Sequence, residues 1–479
     1  MKRINGALIA ISAFIAGVAA LLGLGYQYSN QDTVPKGVML ENWTLGGMKI
    51  QDALQQLEGR INILEERKVK FISEQPEQFS FTYSLKEIGV SYSADELQTA
   101  LKQLTAGNMI DRIKARYSFH EQWNLHTKWD DTRLKNKLNG QWEKETFGVP
   151  VNAVRNITKS DTIEYIPEKN VYRIDWTLLS QQIEAMLPSD FTANKEEQSL
   201  QITLPLIIKR PAITVNSLKA EGIERKMIQF TTDLYTSGEG RVYNVSSAAK
   251  IVDGMILKPG EIFNYAEVIA AADKKYGFRE APVILNGKLV PGIGGGICQV
   301  SSTLYNAAIR TGLEIVERRN HSLPVSYLPK GQDATFAEGV INFRFKNNTG
   351  KSLLIQSAVN NRKLTVKLFG TLPRNVTYTI ESHVVEILTA PDKYVQNPSL
   401  AAGTRQVLQG GKPGYVVDTY QIKRVDGKVT EKKRISHDTY RAQPSLIAVG
   451  VTDSEKSSPA PSKSDQKSIL EDGIEGPVF

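Results

Sequence analysis

The chain has 479 residues, 41% of them hydrophobic and 23% charged. That is enough apolar material for about three separate cores, and it excludes a chain that is disordered throughout. The formal net charge is +8; the basic residues are spread along the chain, so the charge favours polyanions without marking a nucleic-acid-binding arm. Cys298 is the only cysteine, which excludes an intramolecular disulfide and a cysteine-rich zinc site.

The N-terminus points to the compartment. Lys2 and Arg3 precede an apolar run from Ala7 to Leu24, interrupted only by Ser12 and two glycines. The run lies near the lower limit of the ~20 residues that span hydrocarbon as a helix. The basic residues at its head keep that end cytoplasmic. A cleaved signal peptide is the rival reading, but its apolar stretch is shorter, roughly 7–15 residues. No small-x-small cleavage site follows; the flank reads Tyr26-Gln27-Tyr28. Residues 1–25 therefore read as a cytoplasmic stub and transmembrane signal anchor, and residues 26–36 as a linker. The body is expected on the extracellular side of a bacterial cell membrane, which argues against nucleic acid as a partner.

Residues 37–148 read as an α+β module. Ala53, Leu54, Leu57 and Ile61 recur at helical spacing, and Val69, Phe71, Phe79, Phe81 and Tyr83 alternate as in strands. Ala94 to Leu104 forms an amphipathic helix. Trp123, Trp129 and Trp142 serve either a core or a sugar-stacking surface. Residues 149–224 read as a second strand–helix–strand unit, with strands at Tyr165-Ile166, Val171–Ile174 and Leu200–Leu206 and a helix from Leu178 to Leu187. Gly37-Val38, Gly46-Gly47, Glu87-Ile88-Gly89-Val90 and the run from Ile202 to Pro211 resemble the peptidoglycan-binding family-four modules of exported proteins. That resemblance implies α+β wall-binding or spacer domains.

The informative stretch is residues 240–345, within a domain bounded at 225–371. A helix expected from Ser246 to Met255 precedes Lys258-Pro259-Gly260-Glu261. Then comes Gly292-Ile293-Gly294-Gly295-Gly296-Ile297-Cys298-Gln299-Val300-Ser301-Ser302-Thr303. The glycines form a loop that permits positive φ and close backbone approach, and a helix follows from about Gln299 to Arg310. Cys298 thus stands where unpaired N–H groups and the helix dipole favour negative charge. A thiol there is expected to ionise readily, and the same N–H groups can serve as an oxyanion hole. His321 is a candidate base, and Asp333 a candidate third member that orients the imidazole. Arg318 and Arg319 are candidates to hold a substrate carboxylate. Two other readings stand beside these. A lone cysteine is often a small buried hydrophobe, and a glycine loop can cradle phosphate, although this one lacks the P-loop Lys-Ser/Thr. His120 and His126 show no metal-ligand spacing, and neither a metal nor a cofactor is expected.

These residues resemble the VanW family. The resemblance runs through Arg241 with Asn244, Lys258-Pro259-Gly260-Glu261, Gly294 to Asn306, Glu317-Arg318, His321-Ser322 and Gly331-Gln332-Asp333-Ala334. Asn264-Tyr265 departs from the family's usual Ser, Phe and Asn. The resemblance implies a cysteine-dependent L,D-transpeptidase acting on peptidoglycan stem peptides and glycan, with Cys298 as nucleophile and His321 as candidate base; Asp333 joins them as a catalytic candidate on residue chemistry. Substrate contacts are expected from Gly294, Gly295, Gly296, Gln299, Ser301, Ser302, Arg318 and Arg241. The common L,D-transpeptidase run Ser-His-Gly-Cys is missing, so shared chemistry would be convergent. The alternative is a non-catalytic wall-binding scaffold.

Residues 373–450 carry strand-like runs at Val376–Ile380, Val384–Leu388, Val416–Val425 and Lys428–Ile435, with Asp426-Gly427 as a hairpin turn. Gly410-Gly411-Lys412-Pro413-Gly414, Tyr420 and Val449-Gly450 make this stretch resemble a G-five domain, an all-β module associated with cell-wall sugars. Residues 451–479, rich in Ser, Lys, Asp and Pro, are expected to be a disordered tail. The expected fold class is α+β multidomain.

Overall fold

The computed structural model describes residues 2–191, 200–285, 287–450 and 469–476. They form two compact units, one of residues up to Asn152 with Glu168–Ala212, the other of Ala153–Pro167 with the chain from Ile213.

The first unit opens with helix α1 (Lys2–Ser29). Its segment Ala7–Ser29 has a mean hydropathy of 2.5 and is long and apolar enough to cross a membrane. Tyr26 to Ser29, expected in the linker, continue the helix because no Pro or Gly follows Gly25 until Pro35. Helix α2 (Ile50–Glu65) buries Ile50, Ala53, Leu57 and Leu64. It shares one core with strands β1 (Lys68–Ser73) and β2 (Phe79–Ser84), helices α3 (Asp95–Gln103) and α4 (Trp176–Met186), and strand β3 (Leu200–Thr203). Strand β3 pairs in parallel with β1. Residues 37–148 and the stretch to Leu204 therefore share this core instead of forming two units, because a pairing across so many residues leaves no local sequence signal. The strand expected through Leu206 stops at Thr203; Pro205 follows, and Leu206–Lys209 pairs instead with Val171–Ile174. Trp123, Trp129 and Trp142 all pack on this core.

The second unit is built on an antiparallel sheet. Its strands are β4 (Arg225–Asp233), β5 (Met255–Leu257), β6 (Leu353–Asn360) and β7 (Lys363–Gly370), in the order β4–β7–β6–β5. Helix α5 (Glu239–Val252) packs on β6, and helix α6 (Cys298–Ile309) lies across β4 and β7. Every residue of α6 is buried, so its hydroxyl and amide groups must find partners inside the protein. Helix α5 starts earlier than the expected Ser246 and carries Arg241 and Asn244, while Met255 belongs to a strand. A hairpin of Glu280–Leu285 with Lys288–Ile293 leads into the glycine loop.

The all-β region begins with β8 (Val376–Leu388), one strand where two were expected, kinked by a bulge between Val384 and Glu386. It pairs with β9 (Gly414–Val425), which pairs with β10 (Lys428–Tyr440). Asp426 (φ +52°) and Gly427 (φ +77°) make the turn, as a two-residue hairpin requires. The expectation of a disordered tail fails at residues 469–476. Leu470–Glu471 forms strand β11 on Ile284 and Leu285 of the hairpin, and Glu471 and Asp472 are buried. Composition missed this because partners distant in the chain hold the segment. Residues 451–468 and 477–479 lie outside the described residues.

Candidate active site around Cys298

The glycine loop has no room for side chains. Gly294 (φ +86°) and Gly296 (φ +103°) adopt left-handed conformations. A Cβ on Gly295 would sit 2.5 Å from the Pro282 carbonyl oxygen, and one on Gly296 would sit 2.5 Å from Arg241 Cγ. Asn244, fully buried on α5, donates to the carbonyls of Gly295 (3.0 Å) and Arg279 (2.9 Å). Tyr265 Oη donates to the Ile297 carbonyl at 2.6 Å, and Asn264 caps the helix that follows it. The departure Asn264-Tyr265 thus supports the loop from behind.

Cys298 opens α6 as expected, but its side chain is 0% exposed. Its Sγ accepts the Phe336 N–H at 3.0 Å. Its backbone N–H donates to Asp472 Oδ1 at 2.9 Å. Burial, and then the Asp472 carboxylate, push the thiol pKa well above its ordinary value, against the pull of the Phe336 and Asp472 backbone hydrogen bonds. This corrects the expectation of an exposed, easily ionised thiol. The helix start is present, but a carboxylate already occupies its anion-binding end.

His321 lies beside this sulfur and Asp333 lies behind His321, both 0% exposed. His321 Nδ1 lies 2.6 Å from Asp333 Oδ2, which also accepts the His321 backbone N–H at 2.7 Å. A ring nitrogen of His321, Cys298 Sγ and an Asp472 carboxylate oxygen lie within 4.8 Å of one another. Nδ1 is taken by Asp333, and Nε2 is buried with no hydrogen-bond partner among the described residues. Nε2 is therefore the nitrogen left to serve the sulfur. Burial alone would lower the imidazole pKa; the hydrogen bond and charge of Asp333 outweigh it and raise it. Burial would likewise raise the Asp333 pKa, yet the bond and charge of His321, with Arg318, bring it below the carboxylate range.

Residues of the all-β region hold Asp333 in turn. Tyr440 Oη donates to Asp333 Oδ1 at 2.5 Å and accepts the Gly331 N–H at 2.6 Å. Arg318 donates from Nε to the Asp333 carbonyl at 2.6 Å and pairs with Asp438 at 2.5 Å; its side chain is 5% exposed. Its charge is consumed inside the protein, which corrects its expected role as a substrate clamp. Ser301 and Ser302 are likewise buried away from any substrate. Both donate to the Ala334 carbonyl, and Ser302 accepts the Ala334 N–H. Gln299 binds Thr232 and the Asp233 carbonyl, and its Oε1 accepts from Arg241 at 3.3 Å. These three residues fix the scaffold because α6 is buried on all sides.

Arg241 and Gln299, of the expected polar contacts, line a cleft that Asp472 shares. Arg241 pairs with Asp472 at 2.9 Å. Both line a cavity of about 470 Å³, together with Gln299, Gly240, Pro282 and Tyr327. Burial and the Asp472 charge push the Tyr327 phenol pKa well up. Sequence reasoning missed Asp472, Tyr327 and Tyr440; two buried carboxylates near the C-terminus, in Leu470-Glu471-Asp472-Gly473, were the available signal. Cys298, His321 and Asp472 also form a three-donor set of a kind that suits a zinc ion with one open position, which histidine spacing could not reveal. Asp472 is already committed to Arg241 and the Cys298 N–H, and the sulfur to Phe336, so we read the group as a nucleophile with its polar neighbours.

The chain matches the family model described as VanW like protein over residues 240–369. It is 31% identical over 241 residues to "Uncharacterized protein YoaR" of Bacillus subtilis (strain 168), covering 50% of this chain and 76% of that protein. The chain belongs to the VanW-like family. It is also 29% identical over 180 residues to "Vancomycin B-type resistance protein VanW" of Enterococcus faecalis (strain ATCC 700802 / V583), covering 36% of this chain and 66% of that protein. A peptidoglycan binding domain model matches residues 81–193 and a G5 domain model residues 379–452. The first of these crosses the boundary expected at 148/149. Together the three models, which follow one another along the chain as peptidoglycan binding, VanW and G5, point to association with the cell wall. Two solved structures match the C-terminal region. "IgA1 Protease G5 domain structure" is 26% identical, covering 16% of this chain and 92% of that one, with a TM-score of 0.14. "Crystal structure of HP0197-G5" is 31% identical, covering 15% and 97%, with a TM-score of 0.12.

Proposed function

We propose that this protein is a cysteine-dependent L,D-transpeptidase that cross-links peptidoglycan stem peptides, held at the membrane by α1 with its body on the wall side. The observation that carries the reading is the convergence of Cys298, His321 and Asp333. The imidazole is held by Asp333 through Nδ1, its Nε2 has no partner among the described residues, and one of its ring nitrogens lies within 4.8 Å of a sulfur at a helix start.

In this reading His321 Nε2 takes the Cys298 thiol proton as Sγ attacks the carbonyl of a diaminopimelate residue in a tetrapeptide stem. The S–C bond forms, the C–N bond to D-Ala breaks, and the proton on His321 passes to the departing amine. The Cys298 N–H is the donor for the transient oxyanion. An acceptor amine then attacks the thioester, gives its proton to His321, and re-forms an amide with release of the thiol. No ATP is required, because the energy of the broken amide passes into the new one. Water in place of the amine would give hydrolysis by the same steps.

The burial of Cys298 favours a second reading, a non-catalytic wall-binding scaffold. One experiment separates them. The full chain in detergent is incubated with tetrapeptide muropeptides and followed by mass spectrometry. The transpeptidase reading expects a thioester adduct on Cys298, loss of D-Ala and a cross-linked dimer, all abolished in Cys298→Ala. Undiminished product from Cys298→Ala removes the sulfur as nucleophile and ends the reading as stated, whereas no adduct and no product from wild type leaves the scaffold.

A further inference from the structure

The same Cys298 N–H that the proposed reaction needs for its oxyanion is filled by Asp472 Oδ1 at 2.9 Å, and Asp472 Oδ2 holds Arg241 at 2.9 Å. A fixed carboxylate on an oxyanion donor repels the charge that the transition state develops there. The segment that delivers it is laid down like a bound peptide. Leu470 and Glu471 extend the hairpin as an added strand. The Ile293 N–H donates to the Glu475 carbonyl at 2.7 Å, and the Ile474 N–H donates to the Ile293 carbonyl at 2.9 Å. Glu471 Oε2 accepts the backbone N–H and hydroxyl of Ser322, the residue after the candidate base, at 2.9 and 3.0 Å.

Missing side chains make room for this backbone. A Cβ on Gly292 would meet the Glu475 carbonyl oxygen at 2.5 Å, and one on Gly473 would meet Val283 at 2.4 Å. Asp472, delivered by this segment, has a carboxylate oxygen within 4.8 Å of Cys298 Sγ and of a His321 ring nitrogen. His321 Nε2 is buried with no hydrogen-bond partner among the described residues, and a cavity opens beside Arg241 and Asp472. Backbone pairing along a hairpin edge with side chains seated in pockets is how extended peptides are recognised by strand addition.

We infer that residues 469–476 occupy the protein's peptide groove as an internal ligand. Asp472 sits in the seat that Arg241 and the Cys298 N–H offer to a carboxylate of an extended peptide, and the resting chain is self-blocked until such a peptide displaces the segment. This rests on the transpeptidase reading for the identity of the peptide, a stem tetrapeptide with free carboxylates. The groove and its occupant rest on geometry alone.

The test uses alkylation of Cys298 by iodoacetamide, read by mass spectrometry on the full chain in detergent; the single cysteine makes the signal unambiguous. Two variants are compared with wild type: a chain ended after Ser468, and Asp472→Asn. Both are expected to be alkylated at least about tenfold faster, as the sulfur is uncovered and loses its neighbouring charge. The free peptide Ile-Leu-Glu-Asp-Gly-Ile-Glu-Gly should restore protection to the shortened chain, and the same peptide with Asn for Asp should not. The stem tetrapeptide should compete with the protecting peptide. Unchanged alkylation of a folded shortened chain overturns the proposal, as does failure of the free octapeptide to restore protection; failure of the tetrapeptide to compete overturns only the assignment of the groove to stem peptides. If the shortened chain does not fold, Asp472→Asn decides by the same rate. Should the tetrapeptide compete without forming a thioester, the groove stands and the transpeptidase reading falls.

Discussion

Tyr440→Phe tests whether the all-β region is part of the site or merely attached beside it. The substitution keeps the ring and removes one buried oxygen that serves two partners: Asp333 Oδ1, to which it donates at 2.5 Å, and the Gly331 N–H, which it accepts at 2.6 Å. Losing a hydrogen bond to a buried carboxylate costs about 1.5–3 kcal/mol, and orphaning a buried N–H about 1–3 kcal/mol. Arg318 Nη2, 3.6 Å from Asp333 Oδ1, can recover part of the first loss, so the expected total is about 3 kcal/mol. For a unit of this size that is a fall of about 6–12 °C in the midpoint of its thermal transition. Scanning calorimetry of the full chain measures it. Tyr394→Phe is the control, because that hydroxyl is exposed and makes one long bond of 3.4 Å; its change should stay within about 0.5 kcal/mol. The variant should also slow thioester formation, since the carboxylate that aims His321 loses its anchor. A fall in Tyr440→Phe no larger than in the control would refute the reasoning and reduce the contact to incidental packing.

Arg318→Met should destabilise the second unit by about 3–5 kcal/mol, because it strands the Asp438 and Asp333 carboxylates in a buried site without their cation; urea unfolding measures it. Gly296→Ala places a methyl 2.5 Å from Arg241 Cγ at φ +103°, which should cost about 2 kcal/mol or more from strain and displacement by the same assay. The buried His321–Asp333 pair sets a pH window. Asp333 has a lowered pKa, so its contribution is present above the unfolded carboxylate value of about 4 and fades as the pH falls below it. His321 has a raised pKa, so its contribution is full below the unfolded value of about 6.5 and is lost as the pH rises through the higher folded value. Stability of wild type relative to Asp333→Asn should therefore be greatest between roughly pH 4 and 6.5; a difference that is flat from pH 3 to 8 would contradict the ion pair. Deleting residues 2–29 should move the protein from the membrane pellet to the soluble fraction on ultracentrifugation, and persistence in the pellet would remove α1 as the anchor.

Several features were legible locally. The apolar run was readable as a helix because hydrophobicity over a short window suffices, although its end at Ser29 required knowing that nothing stops it. The loop from Gly294 to Gly296, the start of a helix at Cys298 and the Asp426-Gly427 turn follow from backbone sterics. His321 and Asp333 could be nominated from residue chemistry and resemblance; their contact at 2.6 Å could not, because spacing in the chain carries no distance.

The amino-acid order by itself therefore determined the elements whose causes are local: the apolar helix, the amphipathic helices, the alternating strands and the glycine bend ahead of Cys298. Tertiary structure alone decided that β3 completes a sheet begun at Lys68, that Arg318, Ser301 and Ser302 face inward, and that Asp472 lies on the Cys298 N–H. The reason is physical. Periodicity and turn chemistry act over a few residues, whereas the ionisation and access of a buried sulfur are set by whichever distant groups the fold carries to it. Here that group is a carboxylate brought from 174 residues along the chain, beyond the all-β region.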